Sequence, residues 1–315
     1  MSKPTQIMVV MDSALEMSPA VLRGQALARK SEAVLLLRSF EYERRVEQAS
    51  KQGFDLAAYL QARHARLEQV AQRLRETGVK VETQVVWGHP MAEQILFEVL
   101  AVKPALVIKS ASQAYAFSRA FLSGLDWRLL SQCPAPLMLV HPGSPSVPKK
   151  ILAALDPLDE HGKPHELNAD ILREAISLSM QCNADLDVVN AFEYIPFGGE
   201  AEYAGWRPDL VMYEELRKVH AEGLYKLGRQ YSIPPGKMHI LNGEASRAIT
   251  GFAAQVHADL VVMGSVYRSG LKHLFLGSTA EGVFDRLGCD LLVLKPAGFA
   301  AELAGLLEPA KSRAA

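Results

Sequence analysis

Pro4-Thr-Gln-Ile-Met-Val-Val-Met-Asp12 returns 144 residues later as Pro148-Lys-Lys-Ile-Leu-Ala-Ala-Leu-Asp156, with a proline, an isoleucine and the closing aspartate in register. Each is a short apolar run that ends on a carboxylate, and its recurrence makes the chain two copies of one unit. Further out, Phe40-Glu41-Tyr42 recurs as Phe192-Glu193-Tyr194. At an offset of 154, Leu56, Tyr59 and Arg63 meet Leu210, Tyr213 and Arg217, and Lys109-Ser110 meets Met263-Gly264. Cys133 and Cys289 each precede a final apolar run. The offset widens mainly between Asp156 and Asp170, which predicts a longer loop after the first strand of the second copy. Three prolines within His141–Pro148 make a short, stiff linker. Domains are therefore expected over 1–142 and 148–297, with 298–315 as a frayed tail helix.

Within each unit, apolar runs alternate with segments of helical period. The runs fall at 7–11, 34–37, 79–86, 105–108 and 137–140, then at 151–155, 186–189, 237–241, 260–263 and 291–294. Between them, Leu56, Leu60, Leu67, Val70 and Leu74 share one helical face, and Ile95, Val99 and Val102 another. Runs that are apolar throughout suit strands covered on both sides, as in a parallel sheet. Strict alternation of strand and helix implies right-handed crossovers and a doubly wound α/β sandwich in each copy. Ligands of such sheets sit outside the carboxyl ends of the strands, so the residues that follow each run are the candidates for function.

Composition removes several functions. With 34 Lys+Arg against 35 Asp+Glu, a net charge of −1 and a pI of about 6.8, the chain has no electrostatic footprint for nucleic acid or an anionic membrane surface. No apolar run approaches the ~20 residues that span a bilayer. Gln6 and Asp12 stand where a signal peptide needs an unbroken apolar stretch. A cytoplasmic protein is expected, without nucleic-acid or membrane partners. Three cysteines with no CxxC spacing predict reduced thiols. With no nucleophile elbow, HExxH or complete P-loop, catalysis is not expected.

The most informative strand end is Met263-Gly-Ser-Val-Tyr-Arg-Ser-Gly-Leu-Lys-His-Leu-Phe-Leu-Gly-Ser-Thr279. Gly277-Ser278-Thr279, just ahead of a helical segment, offers close backbone approach, N–H groups and a positive dipole end to a phosphate. The same residues also make an ordinary helix start, with Ser278 or Thr279 as the cap and Gly277 as a turn. Gly264, then after two intervening residues position 267, then after nine more Gly277-Ser278, together resemble the glycine pattern of the universal stress proteins, with Tyr267 replacing the second glycine. The resemblance runs through both copies to about Ala297 and includes the strand-ending Asp12 and Asp156. It extends to the tandem, two-domain UspE type through Asp126-Trp127 and Phe275-Leu276-Gly277.

That resemblance implies two tandem Rossmann-like domains of the adenine nucleotide alpha hydrolase-like class. Each would be a five-stranded parallel sheet of order 3-2-1-4-5, and the two would pair through their last strands as an internal pseudo-dimer. It implies a non-catalytic stress-response protein that holds a small ligand, ATP with Mg, in the second domain at Ala154, Asp156, Ala191, Met263, Gly264, Gly277, Ser278 and Thr279. The matching positions of the first copy, Asp12, Lys109, Ser110, Ser123 and Gly124, have lost the glycine pattern. Two functions stay open: a nucleotide-binding module, or an adaptor whose degenerate pockets hold no nucleotide or an apolar ligand. Tyr267 favours the second, because a left-handed backbone costs a non-glycine residue about 1–2 kcal/mol. Arg268, Lys272 and His273 favour the first by adding positive charge. His161 and His165 form a weak metal candidate in the extra loop. Trp87-Gly88-His89-Pro90 and Asn242-Gly243-Glu244 read as turns, and the aromatic stretch 192–206 as a cover for the sheet or for a ligand.

Overall fold

A computed structural model describes residues 4–42, 55–111, 124–158, 164–194, 208–265 and 277–314. The first copy runs β1 (Gln6–Val10), α1 (Pro19–Ser31), β2 (Val34–Glu41), α2 (Leu56–Arg75), β3 (Lys80–Trp87), α3 (Met91–Val102), β4 (Leu106–Ser110), α4 (Gly124–Gln132) and β5 (Leu137–Val140). The second runs β6 (Lys150–Ala154), α5 (Pro164–Cys182), β7 (Asp185–Phe192), α6 (Pro208–Gln230), β8 (Met238–Asn242), α7 (Ala245–Gln255), β9 (Leu260–Gly264), α8 (Ser278–Phe284) and β10 (Asp290–Leu294), followed by α9 (Phe299–Ala314). Helix starts follow local chemistry. Ser18 accepts from the Val21 N–H with Pro19 in the first turn of α1, and Asp55 accepts from the Ala58 N–H at the start of α2.

All ten strands join one sheet in the order β3-β2-β1-β4-β5-β10-β9-β6-β7-β8. Each half is parallel and has the order 3-2-1-4-5 in its own numbering. The halves meet antiparallel, with Leu137, Met138 and Leu139 opposite Val293, Leu292 and Leu291. Equivalent strands paired antiparallel are what a twofold relation between two copies produces. Successive strand residues alternate between two apolar layers, as Ile7 and Val9 do on one face and Met8 and Val10 on the other. The first layer is covered by α1, α2, α5 and α6, and the second by α3, α4, α7, α8 and α9.

Three features tie the halves together besides the strand pair. Helices α1 and α5 touch across the join. Arg23 of α1 pairs with Asp290 of β10 at 2.6 Å, with both side chains fully buried. The Arg23 guanidinium also donates to the carbonyls of Pro145 and Ser146, and Asp290 accepts from the His141 N–H, so the pair clasps both ends of the linker. Helix α9 packs on α3 of the other half with Phe299 and Leu303 buried, so its first turns are docked and not frayed.

One repeat match shifts in three dimensions. The Leu155 N–H donates to Val189 just as the Met11 N–H donates to Arg38, and Gly243 donates to Phe192 as Gly88 does to Glu41. Phe40 therefore corresponds to Ala191, and Phe192 to Glu41. The two Phe-Glu-Tyr triplets are one residue out of register, which puts Phe40 and Phe192 on opposite faces of the sheet.

Candidate functional site

The sheet order brings β6, β7 and β9 side by side, with their carboxyl ends toward α8. Ala154, which ends β6, lies beside Val189 and Met263, roughly 4.8 Å away on each side. Ala191 is two residues beyond Val189, and Asp156 two beyond Ala154. Ala154, Ala191 and Met263 all belong to the layer that α7 and α8 cover. Gly277 starts α8 with φ −56° and ψ 144°, and no side chain caps that helix end. Ser278 and Thr279 are thus the first helical residues and not its cap. The structure brings together Ala154, Asp156, Ala191, Met263 and the Gly277–Thr279 helix start at one edge. Tyr267, Arg268, Lys272, His273, Ser123, His161 and 195–206 lie outside the described residues, as does the side chain of His165.

Gly264 has a different local reason. A Cβ there would meet Leu167 Cδ2 at 2.7 Å and Ile171 Cδ1 at 3.1 Å, so the glycine lets α5 pack close against the end of β9. Asp156 is exposed, and its backbone is fixed on both sides by Asn168. The Asp156 N–H donates to Asn168 Oδ1 at 3.2 Å, and Asn168 Nδ2 donates to the Asp156 carbonyl at 2.7 Å. Buried Asn190 donates to the Leu155 carbonyl at 3.0 Å, and its Oδ1 lies 2.8 Å from Nδ1 of His220. His220 stacks on Phe192 at 5.0 Å, and burial lowers its pKa, opposed by the Asp156 charge. Ser265, next after Gly264, is 2% exposed, and its Oγ has no hydrogen-bond partner among the described residues. Sequence reasoning passed over Asn168, Asn190, His220 and Ser265. Only Ser265, beside the glycine pattern, carried a signal.

The first copy carries bulkier side chains at the matching positions. Val10, Phe40 and Lys109 stand where the second copy has Ala154, Ala191 and Met263. Phe40 is 7% exposed and puts a phenyl ring where the second copy has only the methyl group of Ala191. The Lys109 ammonium is buried, pairs with Asp126 of α4 at 2.8 Å and donates to the Ser110 carbonyl at 2.9 Å. Asp126 thus holds a buried lysine at the carboxyl end of β4. Arg38, in the same register row, pairs with Glu98 at 2.8 Å. Asp12 follows the end of β1 and Ser110 ends β4 at this edge, and Gly124 begins α4.

Elsewhere, burial pushes the thiols of Cys133 and Cys289 up to about 12 and raises that of Cys182, so these cysteines stay protonated and unreactive. No helix among the described residues is long and apolar enough to cross a membrane, and no group of three metal-ligating side chains occurs among them.

A family model described as the universal stress protein family matches residues 4–141 and 148–295. This chain belongs to the universal stress protein family. Universal stress protein E of Salmonella typhi is 31% identical over 301 residues, covering 92% of this chain and 94% of that protein. Universal stress protein E of Escherichia coli K12 is 30% identical over 301 residues, covering 92% and 93%. Among solved structures, a functionally unknown protein from Pseudomonas aeruginosa PAO1 superposes with a TM-score of 0.77 at 28% identity, covering 97% of this chain and 98% of that one. A universal stress protein from Archaeoglobus fulgidus shares the fold, with a TM-score of 0.59 at 16% identity over 92% and 98% of the two chains. Two family matches in one chain, with relatives aligned along nearly its whole length, make this a tandem universal stress protein of the UspE type.

Proposed function

We propose that this universal stress protein is a cytoplasmic, non-catalytic stress-response protein that binds one ATP, with Mg, in its second domain. Asp156 and the backbone around Ala191 would hold the adenosine, with Ala154 and Met263 as the apolar floor. Gly264, Gly277, Ser278 and Thr279 would hold the phosphates. The observation that carries this reading is the contrast between the two carboxyl edges. Where the first copy has Phe40 and the buried Lys109–Asp126 pair, the second has two alanines and a Ser265 hydroxyl with no partner among the described residues. The Gly277 backbone is a conformation open to any residue, so a side chain placed there would obstruct a phosphate without straining the chain.

A second reading rests on the bulkier edge of the first domain. That half supplies shape and surface, and acts as an adaptor whose exposed faces meet other proteins. Acid extraction of freshly purified protein, followed by chromatography and mass spectrometry, tests the first reading, with Mg-ATP calorimetry on the stripped sample. About one nucleotide per chain is expected. Folded protein that releases no nucleotide and shows no heat would overturn it in favour of the adaptor.

A further inference from the structure

The surface that the nucleotide reading leaves unexplained lies at the far edge of the second domain. Of the eight large hydrophobic side chains exposed among the described residues, five are on α6: Leu210, Val211, Met212, Val219 and Tyr225. Solvated helices do not concentrate apolar surface in this way, and such patches mark contacts. Beside α6 runs an open groove of about 750 Å³, lined by Lys218 and Tyr225 on one side, His239 and Ile240 of β8 along its floor, and Phe252 of α7 on the other. β8 is an end strand of the sheet and carries no lysine, glutamate or aspartate. The opposite end strand, β3, exposes Lys80, Glu82 and Gln84. One sheet edge is guarded against pairing, and the other is not.

The charge pattern of α6 indicates what covers this face. Glu214, Lys218, Glu222 and Lys226 recur every four residues, all exposed, as one stripe of alternating sign. Among the described residues, Lys218, Glu222 and Lys226 make no ion pair, and Glu214 reaches only Arg217, at 3.7 Å. Turned end for end about a point near His220, the stripe is its own complement. Glu214 then faces Lys226 of a second copy, and Lys218 faces Glu222, with Val219 of each at the centre. An isologous twofold contact requires such self-complementarity. The chain already holds its two halves together in this antiparallel manner at β5 and β10.

We propose that α6 and the β8 edge form a self-association surface, on which two copies of this chain pair about a twofold axis through the middle of α6. The contact needs no nucleotide. It closes at two chains, because the guarded β3 edge offers no second surface of the kind.

The test separates contacts between chains from effects within one helix. Molar mass is measured by light scattering for the full chain and for Lys218→Glu and Glu222→Lys, each verified as folded by circular dichroism. The parent is expected to shift from 34.5 kDa toward twice that mass as concentration rises, more strongly at low salt. Each variant puts like charges opposite each other and should stay at 34.5 kDa. An equimolar mixture of the two monomeric variants restores both opposite-charge contacts and should return to double mass. A parent that remains monomeric at every concentration would overturn the proposal and assign α6 to a different partner. So would variants whose mixture gains no mass.

Discussion

Lys109 and Asp126 form a pair that water hardly reaches, with side chains 9% and 0% exposed. Taking away one member strands the other, so Lys109→Met is expected to cost roughly 3–5 kcal/mol in denaturant unfolding. Lys109→Met combined with Asp126→Leu should recover most of that loss, since an apolar pair of similar volume has no charge to strand. Equal loss in the single and double variants would show that the loss does not come from stranding one charge. A more exposed cluster sets acid stability. Hydrogen bonds from Lys150 and then Lys237 hold the Asp185 carboxyl down at about 2, from an ordinary value of 3.8. Because the folded value is depressed, its contribution is present above 3.8 and is lost as pH falls toward 2. Asp185→Asn should therefore flatten the stability-against-pH curve over that window and leave its slope near neutrality unchanged, as read from thermal melts at a series of pH values.

Packing between elements decides which glycines are structural. Gly264 sits under α5, and a methyl group there has to displace Leu167 and Ile171. Gly264→Ala should cost about 1–3 kcal/mol of stability by overpacking, measured by denaturant unfolding in the absence of nucleotide; a change within a few tenths would show that α5 yields freely. The strand runs were legible because runs that are apolar throughout report strands covered on both faces of a parallel sheet, whereas the 3-2-1-4-5 order came only from the resemblance to the universal stress proteins. The register of β2 and β7 was not. Phe40-Glu41-Tyr42 and Phe192-Glu193-Tyr194 match as letters, yet a one-residue slip in a strand reverses the face, and only the ladder reveals that Phe40 opposes the site and Phe192 backs it. The candidate positions Met263, Gly264 and Gly277–Thr279 were proposed from the glycine spacing and the resemblance it carries, whereas Asn168, Asn190 and His220 come from three separate elements that no local pattern connects. The tail was misjudged for a similar reason. Phe299 and Leu303 find their partner on α3, some two hundred positions away in the chain.

At the scale of the whole molecule, two copies have become one sheet with two unequal edges. The clasp of Arg23 and Asp290 on Pro145, Ser146 and His141 holds the halves together whether or not the linker is intact. A protease site inserted at Gly143 and cut should therefore give two fragments that still migrate as a particle of about 34.5 kDa; separation into independent halves would mean that the linker, and not the β5–β10 join, maintains the pair. Under the proposed function, only the second half would carry a ligand edge. Calorimetry of Ala191→Phe with Mg-ATP tests this asymmetry most directly, because the substitution gives the second domain the residue that the first has at the matching position. Parent protein should bind one nucleotide per chain, and Ala191→Phe should bind none while unfolding as one cooperative unit like the parent. Equal affinity in parent and variant, or two nucleotides per parent chain, would contradict the assignment of the site to the open edge of the second domain.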